Sequence, residues 1–155
     1  MSIPVKKLTG QILDIVLAAD AEIEGCSAEE ISQIENESNV RLPAAYVAFL
    51  KEMGRSAGDF LRGDDLFYPD MIGLQDTVEE CMFVSDSSAV LAESDFVFAG
   101  HHDYVYLYFD TEDGEDPPVY RYIYMAGEDQ PEQVFDTFSE WFESSVEDEI
   151  SLAEY

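Results

Sequence analysis

The first third of the chain carries apolar residues at helical spacing, and this pattern predicts three helices. The first amphipathic pattern consists of Leu8, Ile12, Ile15 and Val16. A second helix is expected to begin after Ser27, because Glu30 follows three residues later, the spacing of a capping box. Ile31 and Ile34 then supply its buried side.

The segment 42–54 predicts a third helix from signals at both of its ends. Pro43 fits the first helical turn, where the N–H that proline lacks has no partner within the helix. The residues at helical spacing that follow it are Tyr46, Phe49, Leu50 and Met53. Gly54 is expected to end the helix as a cap.

The middle of the chain predicts shorter elements separated by loops. A short strand is expected at 66–68, and Asp76 is expected to cap a helix that runs to about Ser85. The stretch "DFVFAG", residues 95–100, alternates in polarity and predicts a strand, with Gly100 in a turn.

Residues 104–125, "YVYLYFDTEDGEDPPVYRYIYM", consist of two alternating runs on either side of an acidic loop. Gly114, Pro117 and Pro118 are turn residues, so the segment predicts a hairpin. One face carries Val105, Leu107, Phe109, Val119, Arg121, Ile123 and Met125. On the other face the hairpin pairs Tyr108 with Tyr120, Tyr106 with Tyr122 and Tyr104 with Tyr124. We expect the aliphatic face to pack against helices and the tyrosine face to be partly exposed to water.

Two interpretations of the tyrosine face remain open at this point. Tyrosine offers a large contact area with a polar tip, and protein interfaces favour it. Aromatic rings also cover the outside of small sheets without binding a partner, since much of any protein surface is apolar.

A last helix is expected from about Pro131 to Val146. Its apolar stripe would consist of Val134, Phe135, Phe138, Trp141 and Phe142, and the acids off that stripe are Glu132, Asp136, Glu140 and Glu143. The predicted fold class is therefore α+β, with N-terminal helices, a central antiparallel sheet and a C-terminal helix packed on the sheet. Since no linker divides the chain, residues 1–155 are expected to form a single domain.

The net charge of the chain limits the kinds of partner that it is expected to bind. It has 35 Asp and Glu against 7 Lys and Arg, a formal net charge of −28, and after Gly63 the one strong base is Arg121. Such a surface repels nucleic acid and anionic membranes and attracts a basic protein. A general solubility or halophilic trait would give the same composition, and composition does not separate the two.

The N-terminal sequence, the lack of a long apolar stretch and the small number of cysteines predict a soluble, cytoplasmic protein. Gln11 and Asp14 interrupt the first apolar run, so a secretory signal is not expected. No stretch reaches the roughly 20 apolar residues that span a bilayer. Cys26 and Cys81 do not make a disulfide framework at this size and are expected to be reduced and buried.

The acidic loop "DTEDGEDPP" does not fit the calcium loop of the EF-hand. Placing Gly114 at the sixth position makes Phe109 the first ligand and Tyr120 the twelfth, and neither coordinates calcium. Loose divalent binding would use Asp110, Glu112, Asp113, Glu115 and Asp116. A solvated turn is favoured over that site, because charge runs usually face water. No metal and no other cofactor is therefore expected.

Other chemistry-bearing motifs are weak. His101 and His102 are adjacent on a strand end and so point to opposite sides, which argues against a shared metal. Neither cysteine has a histidine near it in sequence, and no G-x-S-x-G or phosphate-binding glycine pattern occurs. We therefore predict no catalytic residues and no enzymatic activity.

The order of these elements resembles the SMI1/KNR4 family of the SUKH superfamily, over residues 27–142. The stretch "EEISQIENESNVRLPAAYVAFLKEMG" is similar to the opening of the family, "FVFAGHHDYVYLYFDT…DPPVYRYIY" to its central strands, and "VFDTFSEWF" to its closing helix. The residues that carry the opening pattern are Glu30, Glu35, Leu42, Pro43, Tyr46, Phe49, Leu50 and Gly54. One departure is Met53 before Gly54, where the family often has asparagine.

The resemblance implies an α+β domain and, for bacterial members, an immunity protein that neutralises a cognate toxin, often a nuclease. The fungal members are instead regulators and scaffolds, which is the alternative function. Combined with the charge, the resemblance predicts a basic toxin domain as partner, although an exposed tyrosine face would equally serve a homodimer. The expected partner-binding residues are Tyr106, Tyr108, Tyr120, Tyr122, Asp110, Glu112, Asp113, Glu115, Asp116, Asp136, Glu140 and Glu143.

Overall fold

The computed structural model describes residues 10, 23–57, 64–68, 70–84, 91–101, 104–124 and 131–153. The first predicted helix, through Leu8 and Val16, lies outside these ranges apart from Gly10. Within them the helices are α1 (Ala28–Ser38), α2 (Ala44–Met53), α3 (Leu74–Val84) and α4 (Phe138–Ala153). The strands are β1 (Ile23–Glu24), β2 (Ser56–Ala57), β3 (Asp64–Asp65), β4 (Asp95–His101), β5 (Val105–Asp110), β6 (Val119–Ile123) and β7 (Glu132–Phe135).

The sheet is an antiparallel meander in which β3 to β7 lie side by side in chain order. A separate two-stranded ribbon pairs β1 with β2. Helices precede the long strands and α4 follows them, so the predicted α+β class is confirmed.

The capping box of α1 and the end of α2 at Gly54 are confirmed, and Pro43 lies one position before the first helical turn in which it was expected. Ser27 Oγ accepts a hydrogen bond from Glu30 N–H, and Ser27 N–H donates to Glu30 Oε1 at 2.8 Å, which completes the capping box. Pro43 is the N-cap of α2, and Gly54 N–H donates to Leu50 O at its end. All four apolar residues predicted for the inner face of α2 are buried.

The two helices α2 and α4 cover one face of the sheet through aromatic rings. Tyr46 of α2 is fully buried, and its ring centroid lies 5.3 Å from Phe109 of β5 and 5.5 Å from Phe138 of α4. Trp141 of α4 meets Phe98 of β4 edge to face at 5.0 Å. Edge-to-face rings at these separations stabilise each other beyond their area of burial.

Helix α3 packs against the opposite face of the sheet. A methyl group added to Gly100 would meet the Tyr106 ring at 3.2 Å and a Leu74 methyl at 3.3 Å. Next to the irregularity in β4, Val97 N–H donates to Gln75 Oε1 of α3 at 3.0 Å. Gly100 therefore belongs to a strand, where it makes room for Tyr106, and the prediction that it lies in a turn was wrong.

Three predicted bounds also differ from the structure. The strand expected at 66–68 is β3, at residues 64–65, and α3 begins at Leu74, so Asp76 lies in its first turn and does not cap it. The last helix runs from Phe138 to Ala153 instead of from about Pro131 to Val146, and residues 132–135 pair with β6 as strand β7. Thr137 then accepts a hydrogen bond from Glu140 N–H at 3.1 Å, as an N-cap does.

The ribbon strand β1 and the helix α2 approach each other closely. Cys26 N–H donates to Leu50 O at 2.7 Å, and a methyl group at Gly25 would overlap the carbonyl oxygen of Lys51. Cys26 is buried and Cys81 is half-buried, and these two cysteines do not form a disulfide. Burial, followed by the charge of Glu30, raises the pKa of Cys26 to about 11.

Candidate functional site

The acidic loop between β5 and β6 caps the helix α2. Glu115 Oε2 accepts a hydrogen bond from Ala44 N–H at 2.7 Å, and Glu115 O accepts one from Ala45 N–H at 2.9 Å. Because Pro43 has no side-chain hydrogen bond to give, this helix takes its cap from a different part of the chain. A carboxylate at this position also offsets the positive end of the helix dipole.

The next residue of the loop does the same for α4. Asp116 Oδ1 accepts a hydrogen bond from Ser139 N–H at 2.9 Å, in the first turn of that helix. Two consecutive acids thus satisfy N–H groups that would otherwise lack partners at two helix ends. The two contacts place the loop beside both helices on the Phe109 face of the sheet.

The remaining acids of the loop are Asp110, Glu112 and Asp113. Asp110 Oδ1 accepts a hydrogen bond from Glu112 N–H at 2.9 Å, and Gly114 adopts φ +94°, a left-handed conformation that glycine tolerates. Glu112 and Asp113 are exposed. Among the described residues, no group of three or more His, Cys, Asp or Glu side chains is arranged to hold a metal ion.

The predicted register of the tyrosine hairpin is confirmed. Tyr106 pairs with Tyr122 and Tyr108 with Tyr120, and Tyr124 N–H donates to Tyr104 O at 2.7 Å. The rings of Tyr108 and Tyr120 stack with their centroids 5.4 Å apart.

The tyrosine face is partly exposed, as predicted, but three of its six rings are buried. Tyr106, Tyr108 and Tyr122 are buried, at 2%, 9% and 3% of their full exposure. Tyr120 and Tyr124 are half-buried, and Tyr104 is 46% exposed. The physical reason at Tyr106 is the packing of α3 on this face, because both the Tyr106 ring and Leu74 of α3 border Gly100. The three buried rings cannot offer contact area to a partner in this conformation.

The opposite face is also only partly as predicted. Phe109 and Val119 are buried under helices, whereas Val105, Leu107 and Ile123 are half-buried. Both faces of the hairpin therefore contribute to the core, because helices lie on both sides of the sheet.

Two carboxylates face each other where β4 and β5 pair. Asp95 is the cross-strand partner of Asp110, and Asp95 Oδ2 accepts a hydrogen bond from Ala92 N–H at 2.8 Å. Burial, and to a lesser extent Asp110, raises the pKa of Asp95. Burial raises the pKa of Tyr108 to about 12, with a smaller contribution from Asp95.

The acids predicted for the outer face of the last helix lie mostly around its start. Asp136 precedes α4 and is exposed, Glu140 accepts a hydrogen bond from Asp136 N–H at 3.3 Å, and Glu143 is half-exposed. Glu132 lies in β7 and pairs with Arg121 at 3.0 Å. The contact between Asp116 and Ser139 brings the acidic loop next to this helix start, so these two predicted groups of acids lie on neighbouring elements.

The outer face of α3 was missed by the sequence reasoning. Phe83 is 86% exposed and Val84 is 63% exposed, and with Tyr104 they are the large exposed hydrophobic residues of the described chain. The signal was available, because Phe83 and Val84 lie off the stripe of Leu74, Val78 and Met82 that is buried.

The structure defines an α+β domain in which acids of one loop cap two helices and the outer face of α3 exposes apolar residues. The family model of the SMI1 / KNR4 family (SUKH-1) matches residues 25–144, and the chain belongs to that family. Membership is consistent with an immunity-protein role in general. No curated protein matches the chain significantly. In the part of the chain that the structure describes, none of the helices has the length and apolarity to cross a membrane.

Proposed function

We propose that this chain is a cytoplasmic immunity protein that binds and neutralises a cognate bacterial toxin whose active domain is basic, as in a nuclease. It acts without catalysis of its own, by occupying the surface through which the toxin reaches its substrate.

The net negative charge of this chain, taken together with its membership of the family, supports the proposal most strongly. The formal net charge is −28. Arg121, the one strong base after Gly63, is itself paired with Glu132. The described surface after Gly63 therefore presents exposed carboxylates, such as Glu112 and Asp113 of the acidic loop and Glu79 and Glu80 of α3, with Arg121 as its one strong base.

The chemistry of a nuclease explains why an acidic protein inhibits it. A nuclease lines its cleft with Lys and Arg to hold phosphates. An acidic protein competes for those cations, is attracted over a distance, and associates faster than an uncharged one. The acidic protein then inhibits the nuclease by blocking its cleft, without catalysing any reaction.

The test is co-expression with a toxin domain, taken from any toxin gene that lies next to the gene of this chain. We expect the chain to restore growth to cells that produce the active toxin domain. Association between the purified proteins should slow by at least tenfold between low and high salt. A chain that gives no protection would contradict the proposal and leave the regulatory or scaffold role. An association rate that salt leaves unchanged would contradict the electrostatic part alone.

A further inference from the structure

The outer face of α3 carries exposed apolar residues next to exposed acidic residues. Phe83 and Val84 place exposed apolar groups at the end of the helix. The exposed charged residues of the same helix are all acidic: Asp76, Glu79 and Glu80. We call these five residues the Phe83 surface.

The spacing along the helix makes the surface continuous. Glu79 and Glu80 precede Phe83 by four and three residues, and residues at these separations are neighbours on a helix surface. An exposed aromatic residue is therefore bordered by carboxylates. Protein interfaces place aromatic anchors in this way, inside a polar rim that excludes water.

A groove of about 570 Å³ lies along the same helix and extends this surface. Its acids are Glu37 and Glu93 together with Asp76 and Glu79 of α3, and its apolar lining includes Ile72 and Leu91. The groove suits a Lys or Arg side chain, because the apolar stem of such a residue packs on hydrocarbon while its charged end meets carboxylates.

We propose that the Phe83 surface is where this chain docks a cationic protein partner, with Phe83 in an apolar pocket of that partner and the groove receiving one of its basic side chains. The proposal rests on the proposed function in taking the basic toxin domain as that partner. It moves the contact from the tyrosine face, three of whose rings are buried, to the outside of α3.

Charge selects this partner over a second copy of the chain. Two copies that met through Phe83 would bring Glu79 and Glu80 of each against the same acids of the other. Like charges brought together in this way oppose association. A cationic partner instead neutralises these carboxylates while it covers the aromatic ring.

The binding experiment uses as its probe the purified, catalytically inactive form of the toxin domain used for co-expression. Phe83→Ala should weaken binding at least tenfold, mainly through faster dissociation, because it removes a desolvated anchor. Glu79→Gln with Glu80→Gln should slow association and reduce its dependence on salt. The matched control is Glu24→Gln with Glu29→Gln, two exposed acids outside the surface with the same change in charge. It should bind within twofold of the natural chain.

The controls separate loss of binding from loss of folding. Since Phe83 is 86% exposed, Phe83→Ala should leave the thermal unfolding midpoint unchanged. If the natural chain binds the toxin domain and Phe83→Ala binds within twofold of it, the surface is wrong while the proposed function stands. If the natural chain sediments as a dimer that Phe83→Ala dissociates, the surface serves self-association and the proposal is overturned.

A second experiment tests the Phe83 surface if the proposed function is wrong. If the chain neither binds nor protects against the toxin domain, a photoreactive amino acid at position 83 is tested in host cells against the same group at position 29. A basic protein crosslinked from position 83 alone, whose purified form shows the same loss with Phe83→Ala, supports the surface without the toxin role. No such protein, or equal crosslinking from both positions, overturns it.

Discussion

The carboxylate of Glu115 accepts a hydrogen bond from Ala44 N–H, 71 residues earlier in the chain, at 2.7 Å. A residue of the hairpin loop therefore caps a helix that proline leaves without a side-chain cap of its own. Glu115 therefore helps to hold the fold together as well as adding to the negative charge of the loop.

Replacing this carboxylate should destabilise the fold. Glu115→Ala removes an N-cap interaction and a negative charge at a helix N-terminus, and we expect the free energy of unfolding to fall by about 1 kcal/mol. Urea unfolding followed by far-UV circular dichroism measures the change. Glu112→Ala, at an exposed acid of the same loop, is the control and should change stability by less than about 0.5 kcal/mol. Equal effects of the two variants would contradict the capping role.

Tyr46 offers a test of an unpaired buried hydroxyl. Its oxygen is buried and has no hydrogen-bond partner among the described residues. Tyr46→Phe keeps the ring contacts and removes the cost of desolvating that oxygen, so stability should stay the same or rise by up to about 1 kcal/mol. Tyr46→Ala, which empties the aromatic cluster, should cost roughly 3–5 kcal/mol. A loss of more than about 1 kcal/mol in Tyr46→Phe would show that the hydroxyl has a stabilising partner.

The pair between Glu30 and Arg55 predicts a pH dependence. Arg55 Nε donates to Glu30 Oε1 at 3.0 Å, its Nη2 pairs with Oε2, and the Arg55 guanidinium also lies over the Tyr68 ring at 5.3 Å. The hydrogen bond from Arg55, followed by that from Ser27, lowers the pKa of Glu30 from 4.5 to about 2. Because the folded pKa is the lower one, the pair stabilises the fold above about pH 4.5, and this contribution is lost as pH falls towards 2.

The measurement is the free energy of unfolding of the natural chain and of Glu30→Gln at several pH values. Glu30→Gln should be less stable at pH 6, and the difference should shrink between pH 4.5 and 2. Glu29→Gln, in the same helical turn, makes the same change in charge without touching Arg55. A constant difference between the natural chain and Glu30→Gln across this range would contradict the assignment.

Gly25 should tolerate no side chain. A methyl group there would overlap the carbonyl oxygen of Lys51 in α2, so Gly25→Ala must push the β1 ribbon away from the helix. Overpacking of this kind costs about 1–3 kcal/mol. Thermal unfolding would show it as a lower midpoint. Gly10→Ala, where the added methyl meets no atom within 4 Å, should leave the midpoint unchanged or raise it.

The parts of the fold that the sequence predicted are those with local causes. The capping box of Ser27 and Glu30 and the spacing of the apolar residues in α2 involve residues a few positions apart. The tyrosine register followed from the period of two in each strand. These features need no knowledge of what packs against them.

The parts that the sequence missed depend on tertiary contacts. Val134 and Phe135 suit a strand as well as a helix, and the pairing of β7 with β6 decided between them. The burial of Tyr106 depends on α3 crossing the tyrosine face, and tyrosine is amphipathic enough for either side of a sheet. Glu115 gave no local sign of capping a helix 71 residues away. Phe83 is the exception, because its position off the face of Val78 and Met82 was a local signal that the sequence reasoning did not use.

The double cap has a consequence for the order in which the chain folds. During synthesis, α2 leaves the ribosome long before Glu115 is added to the chain. The N-terminus of α2 therefore gains this hydrogen bond only after most strands of the sheet have been synthesised. The contact between Asp116 and Ser139 spans only 23 residues and forms from the adjacent loop. Long-range contacts form slowly because their loops lose entropy on closing. We therefore expect the docking of α2 to be a late event, completed when the hairpin loop closes over both helix ends.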